Sequence, residues 1–266
     1  MVDAVHLLRA ARVARRMESG GEASTALAPP PPPSPPPRTD VPECSACSVR
    51  RHVLGTGCVI EVLEDPSGAL GGGNGATVWD CALALAQAVD GEAPRLAPRE
   101  GGSGWRGARV LELGAGVGLV SMTLASLGAR VVATEREIAL PLLRRNVENN
   151  AVACRAAGGE CEVVALDWLA AADALTNLGR FDVVIGADLV FASNAAVHAA
   201  LADVLANVLA HGAECWLSHE TRDVNVDTAF FAALQARGVS ASRCDYSDTL
   251  PAEISIVRLS VAQVES

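Results

Sequence analysis

The chain predicts an α/β fold built on a doubly wound, mostly parallel sheet, and three observations carry that prediction. Val-Leu-Glu-Leu-Gly-Ala-Gly-Val-Gly at 110–118 reads as a buried strand running straight into a glycine turn. Apolar residues at helical spacing follow over 119–128, and a second β-rich run at 130–134 ends on Glu135, 19 residues past Gly116. Strand, glycine turn, helix, strand and acid make a βαβ unit with a carboxylate where such units bind a ribose. Further along, the nearly continuous apolar run at 181–187 has the composition of a strand buried on both faces of a parallel sheet.

The elements follow in order. Residues 1–18 suit a short helix bearing Arg9, Arg12, Arg15 and Arg16, and eight prolines then fall between Pro29 and Pro37. That composition predicts a disordered Arg/Pro-rich extension over 1–49 and a folded domain over 50–266. The Arg-rich, acid-poor start is similar to an organelle transit peptide, and a plain solvated tail competes with that reading. Residues 50–63 read as one or two strands, 64–75 as a glycine-rich loop, and Thr77-Val-Trp79-Asp80 opens a helix through Val89. Residues 91–107 read as a surface insertion in which Trp105 is a packing anchor. Beyond Glu135, 138–149 is helical and 161–166 is a strand ending in Asp167-Trp168. The 181–187 strand ends in Asp188-Leu-Val-Phe191, and Ser193 or Asn194 caps a helix running to Ala210. A fifth core strand at 213–218 is followed by His219-Glu220-Thr221-Arg222, then a helix near 226–237 and closing strands at 239–246 and 254–261. The polar motifs all fall just past the carboxyl ends of strands, where doubly wound sheets bind ligands.

Composition narrows the chemistry. All 21 basic residues are Arg, because the chain contains no Lys. A phosphate-loop lysine, a pyridoxal Schiff base and a lysine nucleophile are therefore excluded. The net charge of −10 repels nucleic acid and favours a basic partner. The eight cysteines lie mostly in apolar runs, as expected of reduced core thiols. Cys44, Cys47, His52 and Cys58 give C-x2-C-x4-H-x5-C, but Cys58 falls in a strand where a zinc knuckle needs a compact loop, so no metal site is expected. No apolar run reaches the roughly 20 residues needed to span a bilayer, so a soluble protein is expected, cytoplasmic unless the N-terminus targets it elsewhere.

The glycine spacing selects the ligand. A dinucleotide fingerprint needs Gly-x-Gly-x-x-Gly to bring backbone amides to a pyrophosphate, whereas here the third glycine falls at Gly118 and position 119 is Leu. Gly-x-Gly-x-Gly preceded by Glu112 resembles the first motif of class I S-adenosylmethionine methyltransferases. That cofactor carries a sulfonium cation, which a nearby carboxylate complements. Taken with Val78-Trp79-Asp80, Glu135, Asn146 with Asn149-Asn150, Leu166-Asp167-Trp168 and Gly186-Ala-Asp-Leu-Val-Phe191, the chain resembles the family 16 seven-strand protein lysine methyltransferases over about residues 50–262.

The resemblance implies a Rossmann-like seven-stranded sheet with helices on both faces and a short N-terminal strand and helix extension. It implies that Gly114, Ala115, Gly116 and Gly118 form the cofactor turn with Glu112 beside it. Glu135 then binds the ribose, and Trp79, Asp167, Trp168 and Ala187 surround the rest of S-adenosyl-L-methionine. The reaction implied is methyl transfer to a protein lysine, with Asp188 orienting the amine and Phe191 walling its channel. A turn or helix-capping role competes for Asp188, and packing roles compete for Trp79 and Trp168. Glu220 and Arg222 read equally as a substrate-side ion pair or a solvated loop pair. Three features depart from the family: Glu135 stands for the more usual Asp, Phe191 for Tyr, and the 1–49 and 91–107 segments are additional. Asp188-Leu-Val-Phe191 is not the Asn/Asp-Pro-Pro-Tyr that grips a flipped base, which argues against nucleic-acid methylation. The partner expected is a protein of the chaperone or ATPase class, with no nucleic acid, no membrane and a monomeric enzyme. A methyltransferase acting on a small molecule or on another residue type, and a catalytically silent cofactor-binding scaffold, are the rival functions.

Overall fold

Strands buried on both faces need helices above and below, and the alternation in this sequence supplies them. The computed structural model describes residues 46–70, 72–91, 96, 104–190, 194–244 and 250–261. A hairpin of β1 (Ser48–Val53) and β2 (Val59–Glu64) precedes α1 (Asp80–Asp90). The main sheet then alternates β3 (Arg109–Leu113), α2 (Leu119–Ser126), β4 (Arg130–Glu135), α3 (Leu140–Ala156), β5 (Glu160–Ala165), α4 (Ala171–Leu178), β6 (Val183–Ala187), α5 (Ala195–Ala210), β7 (Glu214–Glu220) and α6 (Val224–Gln235). It closes with β8 (Val239–Arg243) and β9 (Ile254–Val261). Strand order is β5-β4-β3-β6-β7-β9-β8, with β9 antiparallel to both neighbours and the other pairings parallel.

Alternation along each strand divides the core. Val110, Val131, Val183 and Ile185 pack with Leu85, Leu119, Met122 and Leu142 from α1, α2 and α3. Leu111, Leu113, Val184 and Leu217 pack with Leu175, Leu205 and Phe230 from α4, α5 and α6 on the other side. The order of β3 and β6 on either side of the crossover places the switch point between them, which positions a ligand at their carboxyl ends.

Several boundaries differ from expectation. The third helix runs to Ala156 rather than 149, because Ala-Val-Ala-Cys-Arg-Ala at 151–156 are mostly good helix formers. Helix α4 has no counterpart in the sequence reading; eight residues carry too little periodicity to be seen. Strand β7 continues through His219 and Glu220, which pair with Ser255 and Ile254 instead of forming a loop. The N-terminal element is a two-stranded hairpin, and Trp105 is the packing anchor expected, 5% exposed with its indole N–H donating to the Val89 carbonyl at 3.0 Å.

Asn146 and Asn150 explain themselves structurally. Their amides stand one helical turn apart on α3, about 6 Å along the axis, close to the two-residue repeat of a strand. Asn146 accepts from Leu63 N at 2.8 Å and donates to Leu63 O at 3.0 Å, while Asn150 accepts from Glu61 N at 3.0 Å and donates to Glu61 O at 2.8 Å. The two side chains thus pair the free edge of β2 as another strand would. Asn146 also donates to Val117 O at 3.0 Å, tying hairpin, helix and glycine turn together.

Residues Glu43–Ser266 form one compact unit. The expected N-terminal helix and proline segment, and Cys44, lie outside the described residues. Among the described residues the cysteines are free thiols, and no helix is long and apolar enough to cross a membrane.

Candidate cofactor and substrate site

A cavity of about 620 Å³ opens at the carboxyl ends of β3, β4, β5 and β6. Of the residues singled out in the sequence, Trp79, Glu112, Gly114, Ala115, Gly116, Glu135, Asp167, Trp168, Ala187 and Asp188 line it. Gly118 does not; it is the α2 N-cap, where an added Cβ would come within 2.6 Å of Leu143. Phe191 lies outside the described residues.

The glycine turn is bare for steric reasons. Gly114 has φ +62°, and a Cβ there would meet Leu189 at 2.8 Å and Trp168 at 3.6 Å. Gly116 has φ +54° and its Cβ would sit 3.0 Å from the Gly75 carbonyl oxygen. Gly75 belongs to the loop that showed no ligand signal in the sequence, yet Asn74 and Gly75 form a wall of the cavity. Ala115 N donates to Thr134 O at 2.9 Å, which locks the turn to β4. Leu189 is also the reason for Gly186, whose Cβ would fall 2.6 Å from it.

Acidic groups set the electrostatics. Glu135 accepts from Gly116 N at 3.3 Å and Arg136 N at 2.8 Å, and its carboxylate remains on the cavity wall. Glu112 is 2% exposed and accepts a hydrogen bond from the Ser121 hydroxyl. Burial pushes its carboxyl up to about 8, Ser121 opposes the rise, and the nearby Glu135 charge adds to it. The cavity therefore holds an acid that is protonated at neutral pH and that a cation would ionise. Asp167 caps the short helix Trp168–Ala170 by accepting from Leu169 N at 3.0 Å.

Asp188 is the one described non-glycine residue with positive φ, at 58°. Its backbone N–H donates to Ser218 O at 2.9 Å, and both carboxylate oxygens accept from Arg222, at 2.5 and 2.8 Å. Arg222 also donates to Glu220, and its guanidinium lies 5.7 Å from the centroid of the Trp79 ring. The helix cap after β6 is Asn194, accepting from Val197 N at 3.3 Å, so the capping alternative for Asp188 does not hold. Glu220 and Arg222 form a pair, and Asp188 is its third member.

Beneath this triad Cys81 is fully buried; burial first and the Asp188 charge second push its thiol up to about 12, so it is neutral at physiological pH. Among the described residues Cys81, Asp188 and Glu220 are the group close enough together to ligate a metal, within 4.8 Å. Arg222 already supplies the cation there. Trp79 is held in place from two sides: its indole N–H donates to Asn74 O at 2.7 Å, and Val78 N donates to Glu64 at 2.8 Å. Asn194 is the helix cap that the sequence offered, whereas Glu64, Gly75 and His198 escaped sequence reasoning, because what brings them to the site are contacts between distant segments.

The strand order, with its antiparallel seventh strand and a cavity at the β3 and β6 ends, defines a class I methyltransferase fold. T. thermophilus 16S rRNA N2 G1207 methyltransferase (RsmC) shares that fold, with a TM-score of 0.57 at 23% identity over 84% of this chain and 52% of its own. The chain belongs to the lysine methyltransferase family, whose model matches residues 64–237. Over 119 residues it is 34% identical to Protein N-lysine methyltransferase METTL21A of Xenopus tropicalis, covering 45% of this chain and 49% of that protein. Over the same length it is 38% identical to METTL21A of Danio rerio, with the same coverage, and 34% identical to EEF1A lysine methyltransferase 3 of Mus musculus, covering 45% of each. The chain thus spans about half the length of the curated relatives it matches.

Proposed function

We propose that the protein transfers a methyl group from S-adenosyl-L-methionine to a lysine side chain of a protein substrate. The observation that carries the reading is the convergence, in one cavity, of the glycine turn, Glu112, Glu135, Asp188 and Arg222, the last also paired with Glu220 behind it. The names of its relatives, protein N-lysine methyltransferases, support the acceptor class.

The cavity fits such a cofactor. Gly114 and Gly116 leave space that a Cβ would fill, Glu135 offers a carboxylate to ribose hydroxyls, and Glu112 is a buried acid that a cation would ionise. Trp79, Ala187, Asp167 and Trp168 would hold its remaining parts. When bound, it supplies a methyl group on a cationic sulfur. The protein's part is alignment and exclusion of water, which in-line displacement chiefly requires. Two carboxylates against one guanidinium leave the triad one negative charge in excess, so an ammonium is drawn to the end of β6. Each carboxylate oxygen has two acceptor sites, and Asp188 retains capacity to orient the amine while Arg222 holds it in place.

The substrate is a protein, of the chaperone or ATPase class, and the enzyme acts as a cytoplasmic monomer independent of nucleic acid and membrane. The net charge of −10 supports the absence of nucleic acid. Because the chain contains no Lys, any methyl-lysine formed belongs to a partner. Calorimetry with S-adenosylmethionine, together with radiolabelled-cofactor incubation of cell extract, tests the reading. The wild type binds and labels protein lysines, Glu135→Ala loses binding, and Asp188→Ala binds but labels poorly. No binding, or label confined to small molecules, contradicts the proposal; binding with undiminished labelling by Asp188→Ala removes Asp188 from the mechanism.

A further inference from the structure

Lysine reaches a methyltransferase as an ammonium, and with a pKa of about 10.4 roughly one side chain in a thousand or fewer is neutral at pH 7. Something facing the substrate must take that proton for reaction at neutral pH. Asp188, held by Arg222 through both oxygens, is assigned to orienting the amine. Glu112 is committed to Ser121.

Of the two buried polar residues on the wall, Glu112 and His198, His198 is the one whose side chain has no partner among the described residues. It projects from α5, one turn past the Asn194 cap, and lines the same cavity as Asp188 and Arg222. It is 6% exposed, yet its imidazole has no hydrogen bond or ion pair with any described residue. Its ring meets Phe230 edge-on, with centroids 6.0 Å apart. Its ring nitrogens open on the cavity and not on the core, so they are free to bond a ligand held there.

We propose that His198 is a catalytic base of the methyl-transfer site, accepting a proton from the substrate ammonium; this rests on the lysine reading above. One N–H proton passes to an imidazole nitrogen, leaving the lysine nitrogen with a lone pair. That pair forms the N–C bond as the S–C bond breaks with its electrons kept on sulfur, and the imidazolium returns its proton to water. Burial keeps His198 below its ordinary value, and Asp227 partly offsets this, so the ring is neutral and able to accept at pH 7. The charged groups facing it are Asp227 from α6, itself 3.0 Å from His219 of β7, and, across the cavity, Asp188 and Arg222.

Two measurements on the full chain test this. In histidine-labelled wild type with S-adenosylhomocysteine bound, added Nα-acetyl-lysine methylamide lowers the NMR titration midpoint of His198 and leaves His52 and His211 unmoved. In extract incubated with labelled cofactor, His198→Gln and His198→Asn methylate lysine about 100-fold more slowly at pH 7.5. Their rates then climb roughly tenfold per pH unit toward pH 9.5 as the amine deprotonates unaided, while the wild type levels off above its imidazole midpoint. An unmoved His198 midpoint, variant rates within about threefold of wild type, or parallel pH slopes overturns the assignment while lysine labelling stands. Absence of lysine labelling by the wild type overturns both this and the reading beneath it.

Discussion

Replacing Glu112 with Gln isolates the electrostatic design of the glycine turn. The carboxyl is fully buried, bonded to Ser121, and raised from 4.5 to about 8, principally by desolvation. Between those values the folded protein holds a proton that the unfolded chain has released. The stability it confers is complete below about pH 4.5, declines as the pH rises, and is lost once the pH passes about 8. At about 1.4 kcal/mol per pH unit the interval is worth about 5 kcal/mol, and relaxation around the charge reduces it to roughly 2–4. Gln keeps the shape and cannot ionise. Urea unfolding of the ligand-free protein should therefore give a wild-type stability that falls from pH 5 to pH 9 and a Glu112→Gln stability that falls by about 2 kcal/mol less. A cationic cofactor favours the ionised form, so its binding at pH 7 should release close to one proton in the wild type and far less in Glu112→Gln, read by calorimetry in buffers of different ionisation heat. Parallel stability curves for the two proteins, or equal proton release, would refute the reasoning.

Other perturbations probe separate parts of the site. Gly116→Ala sets a methyl 3.0 Å from Gly75 O at φ +54°, so cofactor affinity should fall at least about tenfold, with the protein still folded by circular dichroism. Asn146→Ala removes three hydrogen bonds between α3, β2 and the glycine turn and should cost about 1–3 kcal/mol, with the Leu63 amide exchanging faster by hydrogen–deuterium measurement. Arg222→Ala leaves Asp188, whose side chain is 8% exposed, without its cation; labelling of protein lysine should drop by about tenfold or more, and Arg222→Lys should recover only part because it cannot bridge both oxygens. Unchanged labelling by Arg222→Ala would mean that the triad is surface chemistry unrelated to the reaction.

The glycine-turn wall of the cavity is legible because its residues are local. The βαβ unit puts strand, glycines and Glu135 within one short stretch, and periodicity marks each element. The triad was half legible: Glu220 and Arg222 are neighbours in sequence, but Asp188 joins them only because β6 and β7 lie side by side with Ala187 opposite Ser218. Gly75 and Asn74 read as featureless loop because their role comes from the approach of that loop to Gly116, distant in sequence. Likewise Asn146 and Asn150 carry a recognisable pattern whose reason is visible only against the edge of β2. The antiparallel insertion of β9 between β7 and β8 leaves no mark on composition or period. His198 reads in sequence as one polar residue in an apolar helix, and only the cavity shows that its ring lacks a partner.

The central claim is that this cavity methylates lysine on another protein. The most direct measurement supplies heavy-methyl S-adenosylmethionine and purified enzyme to extract from cells lacking the gene, and then maps modified peptides by mass spectrometry. The account predicts heavy methyl groups on lysine nitrogens of one or a few proteins, present with wild type and strongly reduced with Asp188→Ala. Heavy methyl found only on arginine, nucleic acid or small metabolites, or equally with both enzymes, would contradict it.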